Sequence, residues 1–186
     1  GGMAEVLRAL RSRDDLTIIT NSSDIARTLA TQNGNRVYMA GGELRPDNGA
    51  AFGKSALDFV AQFTVEHAVI SAGAVDASGI MDFDLDEAEF ARMVLSRGNR
   101  RIVVTDASKF GRRGLISVCP FGDVTHLFTN AAPADDIGSA LIAAGTDLDT
   151  LLLAAIELFY ASRTDDPRRV LTGQELRLHA ARSPKM

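Results

Sequence analysis

The stretch RIVVTDASKFGRRG at residues 101–114 places chemically useful side chains directly after an apolar run. The three β-branched residues at 102–104 are typical of a buried strand. The run is followed by a carboxylate at Asp106, a hydroxyl at Ser108 and an ammonium group at Lys109. Charged groups are costly in an apolar core, so the pattern predicts that this strand leads to a functional rim.

The same pattern recurs along the chain, where short apolar runs alternate with amphipathic segments. We predict strands over residues 16–20, 36–40, 67–72, 101–106 and 125–129, and helices over 3–12, 22–32, 53–63, 85–98 and 133–144. Alternating strands and helices favour an α/β fold, a mainly parallel sheet with helices on both faces.

Each predicted strand ends in small, hydroxylic, amide or charged residues. In open parallel sheets, ligands bind outside the carboxyl ends of the strands, so these residues are expected to meet at one edge. Helix N-termini there attract anions, Lys109 supplies a mobile cation, and the acidic and amide side chains suit sugar hydroxyls. The edge therefore predicts a site for an anionic, polyhydroxylated ligand. The alternative is structural, in which Ser22 caps a helix and Gly41-Gly42 forms a tight turn.

Composition and motifs exclude several other functions. The net charge is −4, with the acidic excess before residue 163, which disfavours nucleic-acid binding by the main body. The sequence has one cysteine, Cys119, and scattered histidines without metal-ligand spacing, so we expect no metal site and a reducing compartment. Neither a dinucleotide fingerprint nor a P-loop is present, and no apolar run could span a bilayer.

The last part of the sequence changes in character. Residues 146–163 read as a helix, and the following segment is rich in arginine. We therefore expect a main α/β unit with the predicted ligand site at residues 1–148 and a helical C-terminal extension at 149–186 that packs on this unit or on another copy of the chain.

Four motifs together resemble the C-terminal sensor domain of the DeoR family of bacterial transcription regulators. They are LTIITNSSDIARTLA (16–30), GGELRPDNGAAFGKSA (41–56), AVISAGAVDASGIMDFDLDEAEFARMV (68–94) and RIVVTDASKFGRRGL (101–115). The resemblance implies a Rossmann-like fold of the ribose-5-phosphate isomerase, glucosamine-6-phosphate deaminase and CoA transferase type. It also implies binding of a phosphorylated sugar or related metabolite, with no cofactor and no catalytic residue. The ligand-binding residues carried over from the family are Asn21, Ser22, Gly41, Gly42, Asp76, Glu87, Asp106 and Lys109.

The resemblance further implies a repressor that binds operator DNA through an N-terminal helix-turn-helix outside this chain. The family's first sensor strand and its phosphate loop, expected before the helix at Met3, have no counterpart in the sequence. We expect a cytoplasmic homo-oligomer without membrane contact. The alternatives are a sugar-phosphate isomerase or deaminase of the same fold, in which Glu87 or Asp76 would act as the base, and a pure oligomerisation module.

Overall fold

The computed structural model describes residues 2–31, 34–150 and 169–172. The helices are α1 (Gly2–Leu10), α2 (Ser23–Ala30), α3 (Lys54–Val60), α4 (Leu85–Ser96) and α5 (Asp135–Ala144). The strands are β1 (Thr17–Thr20), β2 (Arg36–Met39), β3 (Val65–Ser71), β4 (Ala74–Asp76), β5 (Gly79–Asp82), β6 (Gly98–Val104), β7 (Ile116–Cys119), β8 (His126–Phe128), β9 (Asp147–Asp149) and β10 (Arg169–Thr172). Two short 3₁₀ helices cover Ala107–Lys109 and Phe121–Asp123.

Seven strands form one parallel sheet in the order β2-β1-β10-β3-β6-β8-β9. Strands β4, β5 and β7 form a separate antiparallel sheet of three strands. The parallel α/β architecture predicted from the sequence is confirmed, and each of the five predicted strands overlaps an observed one.

Helices cover both faces of the parallel sheet. Successive side chains of a strand point to opposite faces, so neighbouring residues pack against different helices. Ile18 and Val104 pack in a cluster with α1 and α2, whereas Ile19 and Val103 pack with α3, α4 and α5. Both faces of the sheet are therefore buried at β1, β3 and β6, which explains the apolar runs in these strands.

The structure contradicts the predicted helical C-terminal extension at two places. Residues 169–172 form strand β10 inside the parallel sheet, between β1 and β3, so these four residues are not helical. Asp147–Asp149 form β9 and pair with β8, so the expected helix does not begin at 146 and the expected boundary at 148/149 falls within a strand. The rest of that predicted helix, from residue 151 onward, lies outside the described residues. Its packing on the domain or on another copy therefore stays a prediction.

Within the described ranges, none of the helices has the length and apolar composition that a membrane span requires.

Candidate functional site

The carboxyl ends of all seven parallel strands open on one edge of the sheet, hereafter the ligand edge. Asn21 follows β1 and Lys109 follows β6, so both lie at this edge, as the site hypothesis requires. Strands β10 and β3 separate β1 from β6. Three strand spacings of about 4.8 Å place β1 and β6 about 14 Å apart. A ligand that spans this distance would lie over the ends of β10 and β3.

The loop after β1 is tied to the loop after β2 by buried hydrogen bonds. The Asn21 side-chain amide donates to the Ala51 carbonyl at 2.9 Å, and the Ala51 N–H donates back to the Asn21 carbonyl at 2.9 Å. The Ser23 hydroxyl donates to the Gly49 carbonyl at 2.8 Å. Asn21 is fully buried, so its side chain shapes the ligand edge by joining these loops.

Ser22 begins helix α2 as its N-cap. Its hydroxyl accepts the N–H of Ile25 at 3.3 Å, and the residue is fully buried. This contact satisfies one of the unpaired donors at the helix start. Ser22 therefore caps a helix, which was the structural alternative to a ligand-binding role for this residue.

Gly41 and Gly42 lie in an exposed segment after β2. Gly42 has φ of 145°, a conformation that side chains rarely adopt, and an added Cβ would lie 3.2 Å from the Phe52 carbonyl oxygen. An added Cβ at Gly41 would meet nothing within 4 Å. The strict need for glycine is therefore at Gly42, and the space beside Gly41 is open.

Asp76 and Asp106 each close a local turn through the serine two residues later. Asp76, at the hairpin between β4 and β5, accepts the Ser78 N–H at 2.8 Å and also the Ser78 hydroxyl. Asp106 caps the first 3₁₀ helix and accepts the Ser108 N–H at 3.0 Å and the Ser108 hydroxyl. In both cases the serine hydroxyl bond holds the pKa of the carboxyl below its ordinary value, so both side chains are anionic at neutral pH.

Lys109 presents a cation at the ligand edge. It ends the 3₁₀ helix, its backbone N–H donates to the Asp106 carbonyl at 3.1 Å, and its neighbour Phe110 packs against the core. Within residues 2–31, 34–150 and 169–172, its ammonium group forms no ion pair and no hydrogen bond. No salt bridge joins this ammonium group to Asp106, although its charge contributes to holding the pKa of the Asp106 carboxyl below its ordinary value. Among the described residues, the ammonium group is therefore available to an anion.

Glu87 lies in the first turn of α4 and is 8% exposed. Its carboxylate Oε1 lies 3.5 Å from Nη1 of Arg45, a residue of the loop after β2. Arg45 belongs to the motif GGELRPDNGAAFGKSA, but it is not among the eight candidate residues predicted from the sequence. Its partners lie about forty positions further along the chain, so no local spacing links them. The signal that was available is the arginine itself, since the nearby loop segment otherwise offers only acidic and neutral side chains.

The described residues contain no group of three or more histidine, cysteine or acidic side chains arranged to hold a metal ion. Cys119 is buried, and burial raises the pKa of its thiol to about 12. A thiol that stays protonated at neutral pH is a poor nucleophile.

A family model of the DeoR C-terminal sensor domain matches residues 2–131 of the chain. The chain belongs to the DeoR family. All eight candidate residues lie within the range matched by this DeoR sensor domain, whereas α5, β9 and β10 lie beyond it.

Curated members of the DeoR-type repressors are similar to the same part of the chain. The glycerol-3-phosphate regulon repressor of Escherichia coli K12 is 32% identical over 129 residues, 69% of this chain and 51% of that protein. The transcriptional repressor CsqR of the same organism is 34% identical over 137 residues, 73% of this chain and 52% of that protein. The repressor GlcR of Bacillus subtilis is 24% identical over 119 residues, 64% of this chain and 46% of that protein. The chain spans about half the length of these relatives.

Proposed function

We propose that this chain is the effector-sensing domain of a bacterial transcriptional repressor and that its effector is a phosphorylated sugar or polyol. The observation that carries this proposal is the ammonium group of Lys109, which stands at the ligand edge without an ion pair among the described residues. A phosphate group would occupy this cation, and the carboxylates of Asp76, Asp106 and Glu87 would accept hydrogen bonds from hydroxyl groups.

The family supports a proposal for the rest of the regulator. Several relatives are named as repressors, and one is named for the glycerol-3-phosphate regulon. We propose that operator DNA is bound in the cytoplasm by a helix-turn-helix that precedes this domain in the whole protein. We further propose that the domain is a homo-oligomer, which light scattering on the purified chain measures directly.

The test is a thermal-shift and calorimetric screen of the chain against glycerol 3-phosphate, ribose 5-phosphate and glucosamine 6-phosphate. A ligand at 100 times its Kd stabilises the folded state by about 2.7 kcal/mol. For a domain of this size that corresponds to a rise in Tm of roughly 5–10 °C. The matched controls are glycerol, ribose and glucosamine, which lack the phosphate and are expected to leave Tm unchanged.

Three results would contradict the proposal, and the first is that none of the phosphorylated compounds binds the chain. Equal shifts with the phosphorylated and unphosphorylated compounds would show that the site does not recognise phosphate. Turnover of ribose 5-phosphate or glucosamine 6-phosphate would show instead an isomerase or deaminase of the same fold.

A further inference from the structure

Arg45 joins two parts of the ligand edge that are distant in sequence. Its Nη1 and Nη2 donate to the two carboxylate oxygens of Asp84 at 3.0 and 3.1 Å, and Nη2 donates to Asp86 at 2.8 Å. Asp84 caps α4, and Asp86 lies in the first turn of that helix. The arginine therefore fixes the loop after β2 to the beginning of α4.

The guanidinium group is held from a third direction by an aromatic ring. Its central carbon lies 4.4 Å from the ring centroid of Phe52, and the Arg45 side chain is only 25% exposed. Phe52 in turn contacts Phe90 of α4 edge to face, with ring centroids 6.0 Å apart. A planar cation between a carboxylate fork and a ring face has little freedom to move.

The contacts of Arg45 converge on Glu87 by two routes. One is direct, from Nη1 to Glu87 Oε1 at 3.5 Å. The other passes through Asp84, whose Oδ1 accepts both from Arg45 Nη2 and from the backbone N–H of Glu87 at 3.0 Å. The position of Glu87 thus depends on the same carboxylate that Arg45 holds.

Electrostatic repulsion among the acidic residues strengthens the dependence of the Glu87 position on Arg45. Asp84, Asp86 and Glu87 are three carboxylates within one helical turn, and Arg45 lies within 4.0 Å of all of them. Without the guanidinium group, these like charges repel one another, and the two more exposed side chains turn towards water. Glu87 is nearly buried, so its carboxylate would lose its cationic neighbour without gaining much solvent.

We propose that Arg45 is a positioning residue of the effector site, which holds Glu87 in the geometry that binds the effector. The inference rests on the function proposed above. It assigns to Arg45 an action through Glu87 rather than a contact with the ligand.

The experiment measures the affinity of the chain for glycerol 3-phosphate by calorimetry in Arg45→Met, Arg45→Lys, Glu87→Gln and the double variant Arg45→Met/Glu87→Gln. Arg45→Met is expected to weaken binding at least tenfold. Arg45→Lys keeps the charge but not the fork, so it is expected to recover part of that loss. Since Arg45 acts through Glu87, the double variant is expected to bind no more weakly than the weaker single variant.

The matched control is Arg27→Met, which removes an exposed arginine paired with Asp24 at 3.8 Å on α2. Its affinity is expected to stay within twofold of the parent. Circular dichroism and Tm identify variants that have lost the fold, and Arg45→Lys serves as the folded test if Arg45→Met does not fold.

Three results would overturn the inference. Parental affinity in both Arg45 variants would show that the residue is not needed at the site. Effects of Arg45→Met and Glu87→Gln that add in full would show that Arg45 does not act through Glu87. Failure of the parent chain to bind any of the phosphorylated compounds would remove the proposed function and this inference with it, whereas the first two results leave the proposed function standing.

Discussion

Replacing Lys109 with methionine separates a ligand-binding role from a structural one. The substitution keeps most of the apolar stem of the side chain and removes the ammonium group with its charge and its hydrogen-bond donors. In the described structure the ammonium group has no ion pair to lose, and the backbone bond from the Lys109 N–H to the Asp106 carbonyl is unaffected. The free energy of unfolding is therefore expected to change by less than about 0.5 kcal/mol, or about 1–2 °C in Tm.

The expected effect of Lys109→Met on effector binding is much larger. A hydrogen bond to a charged group contributes about 1.5–3 kcal/mol, and each 1.4 kcal/mol corresponds to a factor of ten in affinity. The variant is therefore expected to bind glycerol 3-phosphate, or whichever phosphorylated compound stabilises the parent chain, about 10- to 150-fold more weakly. Calorimetric titration of parent and variant at the same salt concentration gives this ratio.

Arg8→Met is the matched control for the loss of one positive charge. Arg8 lies in the last turn of α1, away from the helix end that packs against Val104, and its exposed guanidinium group pairs with the half-buried Glu5 at 3.2 Å. Its affinity for the effector is expected to equal that of the parent. The reasoning is refuted if Lys109→Met binds with parental affinity, or if its Tm falls by much more than the control's, because the lysine would then have a structural role.

Three further predictions concern the scaffold. Phe90→Ala removes a fully buried ring from the core and is expected to lower the free energy of unfolding by about 3–5 kcal/mol in urea titrations; a loss below 1 kcal/mol would contradict the packing described. Ser22→Ala removes the cap of α2 and is expected to cost about 1 kcal/mol by the same measurement, whereas an unchanged midpoint would show that the cap is dispensable. Because the pKa of the Cys119 thiol is raised to about 12, iodoacetamide at pH 8 is expected to leave the native chain unmodified and to react once urea has unfolded it; rapid alkylation of the native chain would disprove this burial.

The parallel sheet was predictable because its strands β1, β3 and β6 contain short apolar runs that are buried in the structure. The small antiparallel sheet was not predicted. Its strands β4 and β5 have only three and four residues, and the turn between them reads as a polar loop. The sequence did contain one signal of the hairpin, the glycine at position 79. The structure requires glycine there, because Gly79 has φ of 133° and an added Cβ would lie 2.3 Å from the Cys119 carbonyl oxygen.

The ligand edge was predictable in its location and only partly in its contacts. The position of polar residues after each strand places Asn21 and Lys109 correctly, because strand direction alone determines it. The partner of the Asn21 amide could not be predicted, since Ala51 offers only a backbone carbonyl, which every residue possesses. The assignment of ligand contacts to these residues remains a prediction.

Strand β10 has a consequence for the order in which the chain can fold during synthesis. It pairs Arg169 with Thr17 on one side and Val170 with His67 on the other, so β1 and β3 leave the ribosome long before the strand that joins them. At 5–20 residues per second, translation from β3 to β10 takes roughly 5–20 s. During that time the facing edges of β1 and β3 lack the backbone partners they have in the finished sheet, and unpaired strand edges are where chains associate wrongly. This interval is therefore the time at which wrong pairing of these two edges is expected.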